Sequence, residues 1–532
     1  MASPLPLLLT LLSFSSGGST VSTPIHNACR ATRFPAICEK TLTESPSLPA
    51  NPSPSDLILA TFNATSSGTG TALSLSRSIL SSSSDPNHTT AARNCIDLLT
   101  LSSLRLSAIP SSAPLPSPAA RAWTSAALLY HYSCWSALKY VNTTSQISSA
   151  MAFLTDLQSL TSNALSMLFS LHRFGPDLSL WSPPQTERDG YWDGTSSSSA
   201  SASASDADFG PGSILGYGSE PDVTVCKGGS CRFESVQAAV DSAPGNQTGQ
   251  FVIYIKEGVY EETVRVPFEK RNVVFVGDGM GKTVITGSLN AGMVGVSTYN
   301  TATVGVVGDG FMARNLTIAN TAGPDAHQAV AFRSDSDLSI LDSVELSGHQ
   351  DTLYASSLRQ YYKSCVISGT VDFIFGNSAS LFDRCLILIL PRQLNPEHGE
   401  TNTVTAHGRN DPAQTTGFVF QSCTVNGSAD YLRLYDQNPK VHRSYLGRPW
   451  KEYSRTVFLD CHLERVIRPE GWSPWDGDFA LGTLFYGEFR STGPGANASA
   501  RVPWSSQVPP EHVDVYSTSN FIQGDQWIHS KP

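Results

Sequence analysis

The spacing of apolar residues divides the chain into parts with different periods. Between about residues 24 and 172, apolar side chains recur at helical spacing. Trp123, Ala126, Ala127, Tyr130 and Cys134 form one series, and Leu154, Leu157, Ala164 and Leu168 another. Such spacing puts one apolar stripe on an α-helix. Proline and serine clusters at 45–54 and 107–117 interrupt it. The pattern predicts an all-α domain over 23–172, with four longer helices in a bundle. Residues 173–219 lose the period. Their core, Thr195 to Asp206, is nearly all serine and alanine, and Phe209 to Gly218 is glycine-rich. That composition predicts an exposed linker open to proteolysis.

From about residue 220 to 532 short apolar runs replace the helical period: Phe251–Ile255, Asn272–Val276, Thr283–Ile285, Ala302–Val307 and Ala329–Phe332. Glycine or asparagine punctuates them. A related phrase then recurs as Arg314-Asn315-Leu316-Thr317-Ile318, Asp342-Ser343-Val344-Glu345-Leu346, Ser364-Cys365-Val366-Ile367, Arg384-Cys385-Leu386-Ile387, Ser422-Cys423-Thr424-Val425 and Asp460-Cys461-His462-Leu463. Its intervals are 28, 22, 20, 38 and 38 residues. The short ones fit a bare coil and the long ones a coil with an inserted loop, so the pattern predicts an all-β parallel β-helix. An α/β sheet would need amphipathic helices between the strands, and none alternates with them.

Charge and composition narrow the partners. A net charge of −10 without a lysine or arginine cluster argues against nucleic acid. Met1-Ala2-Ser3, the apolar stretch Leu5 to Phe14 and the small residues Ser15 to Ser22 read as a signal peptide over 1–22. That stretch is too short for a membrane span, and no other run is long enough. Seven Asn-x-Ser/Thr triplets, at Asn63, Asn87, Asn142, Asn246, Asn315, Asn426 and Asn497, agree with a secreted glycoprotein. In an oxidising compartment most of the ten cysteines are expected to pair. Cys29 with Cys38 could staple a helical hairpin, Cys95 with Cys134 two bundle helices, and Cys226 with Cys231 a local loop. Stacked coils could join Cys365 to Cys385, or Cys385 to Cys423.

One-coil spacing also picks out polar residues. Gln328 precedes Gln350 by 22 residues, and Asp351 precedes Asp372 by 21. Adjacent coils would then present glutamine, glutamine–aspartate and aspartate to one cleft. An ionised carboxylate in apolar surroundings is costly unless paired or used. Two close carboxylates can divide nucleophile and acid roles, and glutamine amides can donate to an oxyanion. Arg448 could keep one acid ionised, and Trp450 offers a flat surface to a sugar ring. Taken singly, such residues more often cap turns or form polar ladders of a solenoid.

Several motifs carry a specific resemblance. They are Gly308-Asp309-Gly310-Phe311, Asn320-Thr321-Ala322-Gly323-Pro324, His327-Gln328-Ala329-Val330-Ala331, Gln350-Asp351-Thr352-Leu353-Tyr354, Asp372-Phe373-Ile374-Phe375-Gly376-Asn377, Thr405-Ala406-His407-Gly408-Arg409, Leu446-Gly447-Arg448-Pro449-Trp450, and Tyr486-Gly487-Glu488 with Thr492-Gly493-Pro494-Gly495. In this order they resemble the pectin methylesterases, or pectinesterases. The run Cys29 to Cys38, and Leu160 to Leu165, resemble the plant invertase/pectin methylesterase inhibitor domain. The resemblance implies a right-handed parallel β-helix that hydrolyses galacturonate C6 methyl esters in methyl-esterified homogalacturonan at the cell wall, releasing methanol without metal or cofactor. By position it implies Asp372 as nucleophile, Asp351 as acid and then base, and Gln350 as transition-state stabiliser. Thr298, Gln328, Arg448 and Trp450 would bind substrate. The front domain would contact its own catalytic domain, as an inhibitor or a folding and secretion pro-region.

The chain departs from the family pattern in places. No dibasic processing motif lies between 173 and 222, where Arg173 and Arg188 stand alone. His349 replaces an aromatic residue, His407 a glutamine and Ser343 a cysteine, while Cys226, Cys231 and Cys461 are additions. A β-helix lyase or glycosidase on the same polymer, and a non-catalytic regulator acting through the front domain, are the competing functions. Chain shortening would mark the former, and inhibition of other esterases by residues 23–172 the latter.

Overall fold

The computed structural model describes residues 22–112, 115–193, 220–392 and 400–528. The expected signal peptide, apart from Ser22, and the Ser/Ala run Thr195–Asp206 lie outside them. No described helix is long and apolar enough to cross a membrane.

The helical half comprises α1 (Thr23–Cys29), α2 (Pro35–Thr43), α3 (Pro54–Ser82), α4 (Pro86–Ser112), α5 (Pro118–Lys139) and α6 (Ser145–Phe174). The last four form the bundle, and Pro54, Pro86 and Pro118 start α3, α4 and α5. Pro54 and Pro118 occupy first-turn positions, where a missing N–H costs nothing. Ser53, Ser117 and Thr144 cap the next turn through their hydroxyls. Disulfide Cys29–Cys38 ties α1 to α2, and Cys95–Cys134 ties α4 to α5.

The second half is a parallel β-helix built from a 17-stranded and a seven-stranded parallel sheet. Its register follows from a corner column in the left-handed conformation: Asn315, Ser343, Ser364, Arg384, Ser422 and Asp460, with φ between 51° and 57°. The next residue of each coil points inward, and Leu316, Val344, Cys365, Cys385, Cys423 and Cys461 are buried. This corner is the repeated phrase of the sequence. Ser343 rather than Asp342 holds it, so the second interval is 21 residues rather than 22. A second interior column stacks Tyr362, Phe382, Phe420 and Phe458 at 4.7, 4.5 and 4.4 Å between centroids. A short helix, Val236–Ser242, packs Val236, Ala239 and Val240 onto the core. Seven residues are too few to show a helical period, and the sequence reading did not include it.

Two sequence expectations change. Cys226–Cys231 is bonded, but Cys365, Cys385, Cys423 and Cys461 are free thiols. Their Sγ atoms face backbone carbonyls of the preceding coil, on Leu341, Tyr362, Phe382 and Phe420. The first part of the span 173–219, expected as linker, also packs against the protein. Helix α6 runs to Phe174, and the segment up to Asp193 lies on the protein surface as a strap. Trp181 is buried, Glu187 meets Arg455 Nε at 3.2 Å and Arg409 at 3.8 Å, and Trp192 stacks on His512 at 4.4 Å. Averaged composition hid these three anchoring side chains.

The bundle docks on the flank of the β-helix through polar groups shielded from water. Arg105 forms two 2.6 Å bonds with Asp309, and Trp123 Nε1 donates to Asp337 at 3.0 Å. Tyr130 and Ser357 hydroxyls meet at 2.9 Å. Asn94 and Asn300 exchange bonds of 2.9 and 3.0 Å, and Arg33 reaches Asp411 at 3.0 Å.

Candidate active site

The seven-stranded sheet carries the site. Its strands Phe332–Ser334, Leu353–Ala355, Val371–Gly376, Glu400–His407 and His442–Gly447 are neighbours in that order. Leu353 and Ile374 point into the core, while Tyr354 and Phe375 point out with Ala302, Val330 and Ala406 to make an apolar wall. Tyr354 stacks on Phe375 at 4.2 Å, and Trp450 meets Phe375 edge-on at 5.9 Å. Two glycines make room. Gly376 has φ 131°, and a Cβ there would lie 1.9 Å from Ala355 O. Gly408 lies beneath Trp450, where a Cβ would meet Cε3 at 2.9 Å.

Asp372 sits at an irregularity of the ladder and Asp351 in the turn ahead of its strand. Asp351 has φ 65° and Asp372 φ 51°, a region that non-glycine residues rarely occupy and that clusters at functional sites. The backbone pairs them on adjacent coils, with Asp351 N donating to Val371 O at 3.1 Å. Ala329 N donates to Gln350 O at 3.1 Å, which aligns Gln328 with Gln350 one coil away. The one-coil spacing read from sequence therefore brings Gln328, Gln350, Asp351 and Asp372 together. Among the described residues neither glutamine side chain has a hydrogen-bond partner, and both are partly exposed, so their amides are open to a ligand.

The carboxylates differ in environment. Arg448 grips Asp372 with Nε on Oδ1 at 2.8 Å and Nη2 on Oδ2 at 2.7 Å, a bidentate ion pair. Burial alone would lower the Arg448 pKa, but the bonds to Asp372 outweigh it and raise it. Trp475 supports the guanidinium from behind at 4.3 Å. Among the described residues Asp351 has no such partner. Burial first, then the charge of Asp372, push its carboxyl well above the usual range, with Arg448 pulling weakly the other way. The pair therefore holds one salt-bridged carboxylate and one acid favoured in its protonated form.

Thr298 and Trp450 lie on the rim. Thr298 opens a short turn, Thr298–Asn300, and joins the site through Tyr299, which packs on the apolar wall. His407 is not a proton donor to the site. Its Nδ1 accepts the backbone N–H groups of Arg409 and Arg455 at 3.3 and 3.2 Å, leaving Nε2–H to donate to Ser378 O at 3.3 Å. Burial keeps it neutral. Sequence reasoning did not single out Trp475 or Thr403, whose hydroxyl bonds Asp372. Neither residue belongs to the quoted motifs, and only the folded register places them.

Comparison with known proteins agrees with this architecture. The pectinesterase family profile matches residues 222–525, and the plant invertase/pectin methylesterase inhibitor profile matches residues 23–167. A probable pectinesterase/pectinesterase inhibitor of Arabidopsis thaliana is 53% identical over 94% of this chain and 84% of its own length. Pectinesterase 2 of Citrus sinensis is 46% identical over 58% of each chain. Among solved structures, pectin methylesterase from carrot is 44% identical and superposes with a TM-score of 0.56, covering 59% of this chain and 97% of that one. A pectin methylesterase in complex with a hexasaccharide is 26% identical with a TM-score of 0.50, over 59% of this chain and all of that one. The chain thus belongs to the pectinesterase family of carboxylic ester hydrolases, in the arrangement that places an inhibitor-family domain ahead of the catalytic β-helix.

Proposed function

We propose that this pectinesterase cleaves galacturonate C6 methyl esters through an acyl-enzyme on Asp372. The observation that carries the reading is the contrast between the Arg448-bound Asp372 and the neighbouring Asp351, whose carboxyl burial and the Asp372 charge push toward the protonated form. A carboxylate oxygen of Asp372 forms a bond to the ester carbon, and the carbonyl electrons move onto its oxygen. The amides of Gln350 and Gln328 donate to that oxyanion. Collapse breaks the bond to methoxide, which takes the Asp351 proton and leaves as methanol. Ionised Asp351 then removes a proton from water, the water oxygen attacks the same carbon, and Asp372 departs as carboxylate. The net change is ester plus water to methanol, carboxylate and a proton. Tyr354, Phe375 and Trp450 line the groove for the polymer. Methanol release from methyl-esterified pectin, without chain shortening, tests the reaction and separates it from a lyase or glycosidase.

Truncating an oxyanion donor gives a graded test. Gln350→Ala should lower kcat about 100- to 1,000-fold with less effect on KM. Unchanged kcat would remove Gln350 from the stabilising role.

The front domain reads as a restraint on this cleft. Asn94 bonds Ser297 and Asn300 on either side of Thr298, and Tyr132 lies 4.8 Å from Lys451 Nζ, next to Trp450. One helical domain thus touches both rims. Arg105→Ala would leave Asp309 shielded from water and unpaired, weakening domain docking by about 3 kcal/mol. The expected result is a severalfold rise in kcat/KM on pectin from the intact chain. A fall, or no change, would argue that the bundle supports folding and secretion without restricting access. The signal-like first residues and the cell-wall substrate support a location outside the cell, in the wall.

A further inference from the structure

The strand that holds Asp372 carries one residue more than its neighbour. Val371 pairs with Thr403 and Ile374 with Thr405, so three steps on one strand face two on the other. Such a bulge leaves a ladder group unpaired and redirects a side chain. Here the displaced residue is Asp372. Its N–H finds the Thr403 hydroxyl at 3.0 Å in place of a backbone carbonyl. The same hydroxyl donates its proton to Asp372 Oδ1 at 2.6 Å. One Thr403 oxygen therefore completes the broken ladder and orients the carboxylate.

This arrangement makes the two carboxylate oxygens unequal. Oδ1 accepts from Thr403 and from Arg448 Nε at 2.8 Å, which occupies both of its in-plane lone pairs. Among the described residues Oδ2 accepts only Arg448 Nη2 at 2.7 Å and keeps one lone pair free. Resting on the reading of Asp372 as nucleophile, we infer that Thr403 is a positioning residue that saturates Oδ1 and assigns the attack on the ester carbon to Oδ2. Thr403 is 2% exposed and acts through Asp372 rather than on the polymer. The Oδ2 lone pair forms the new carbon–oxygen bond, while Thr403 keeps its proton throughout.

The test uses the full chain and methyl-esterified oligogalacturonide. Thr403→Val keeps the branched shape and removes both bonds. Its kcat should fall about 10- to 100-fold, the range for partners that orient a reacting group, with KM within about threefold of the parent. Methanol leaves in the acylation step, so single-turnover methanol release should slow by the same factor. Thr403→Ser should restore kcat to within about threefold, and Thr403→Cys, a weak donor, should fall between serine and valine. The cysteine variant carries the comparison if valine does not fold. Equal kcat across the series, or a rise in KM at constant kcat, would overturn the inference. Asp372→Asn assayed in parallel separates the two claims. Retained activity there overturns the nucleophile assignment, whereas its loss beside a normal Thr403→Val overturns only the role of Thr403.

Discussion

Asp372→Asn should lose at least about 10,000-fold in methanol release, the scale seen when a catalytic nucleophile is removed. The asparagine side chain has nearly the same shape. Its Oδ1 can still accept from Thr403, so the bulge and the Gly376 turn should persist. What disappears is the anion. An amide oxygen is a poor nucleophile, and an amide NH₂ cannot accept the second Arg448 bond. Arg448 is 28% exposed in its side chain and rests on Trp475, so water can solvate the freed guanidinium. A small change in Tm beside a near-complete loss of kcat is therefore the expected signature. Activity within tenfold of the parent would show that Asp372 is not the attacking group.

Asp351→Asn should lower methanol release about 100- to 10,000-fold, since no acid remains to protonate methoxide and no base to activate water. The same variant should be more stable than the parent as pH rises. The Asp351 pKa is raised in the folded protein above its unfolded value of about 3.9. Between those two values the folded state binds more protons than the unfolded state, so the parent loses stability with rising pH across that window. Asparagine stays neutral and feels no such loss. Thermal denaturation should show equal Tm for parent and variant below about pH 4, with a gap in favour of Asp351→Asn that opens as pH increases. The parent's kcat/KM should fall on the alkaline side as Asp351 ionises. A variant less stable than the parent at every pH would contradict the burial argument.

The fold was legible wherever one local pattern repeated. The corner phrase around Asn315, Ser343, Ser364, Arg384, Ser422 and Asp460 signalled the β-helix because each coil needs the same left-handed residue followed by an inward side chain. The bundle was legible from the period of α5 and α6. Less visible were features that depend on a few anchors in a bland stretch. Trp181, Glu187 and Trp192 fix a strap that composition alone assigned to linker. The free thiols show a related limit. Stacking places Cys365, Cys385, Cys423 and Cys461 on successive coils, yet the direction of each Sγ is set by carbonyls that sequence does not display.

The site divides in the same way. Asp351, Asp372, Gln328 and Gln350 followed from coil length, and the Arg448 bond to Asp372 follows the expected pairing. Thr403 reaches Asp372 only because a bulge shifts the register, and Trp475 reaches Arg448 from a distant loop. Neither contact has a sequence period. Arg105–Asp309 and Asn94–Asn300 likewise span more than 200 residues, and only the docked domains bring them together.

A common acyl-enzyme is the central step, and partitioning measures it most directly. Methyl- and ethyl-esterified oligogalacturonides are turned over with added hydroxylamine, and the ratio of hydroxamate to acid is determined for each. If both esters pass through the same acyl group on Asp372, the ratio is identical and only the rate of alcohol release differs. A ratio that changes with the departing alcohol would mean that water attacks the ester directly, and the covalent route would be wrong.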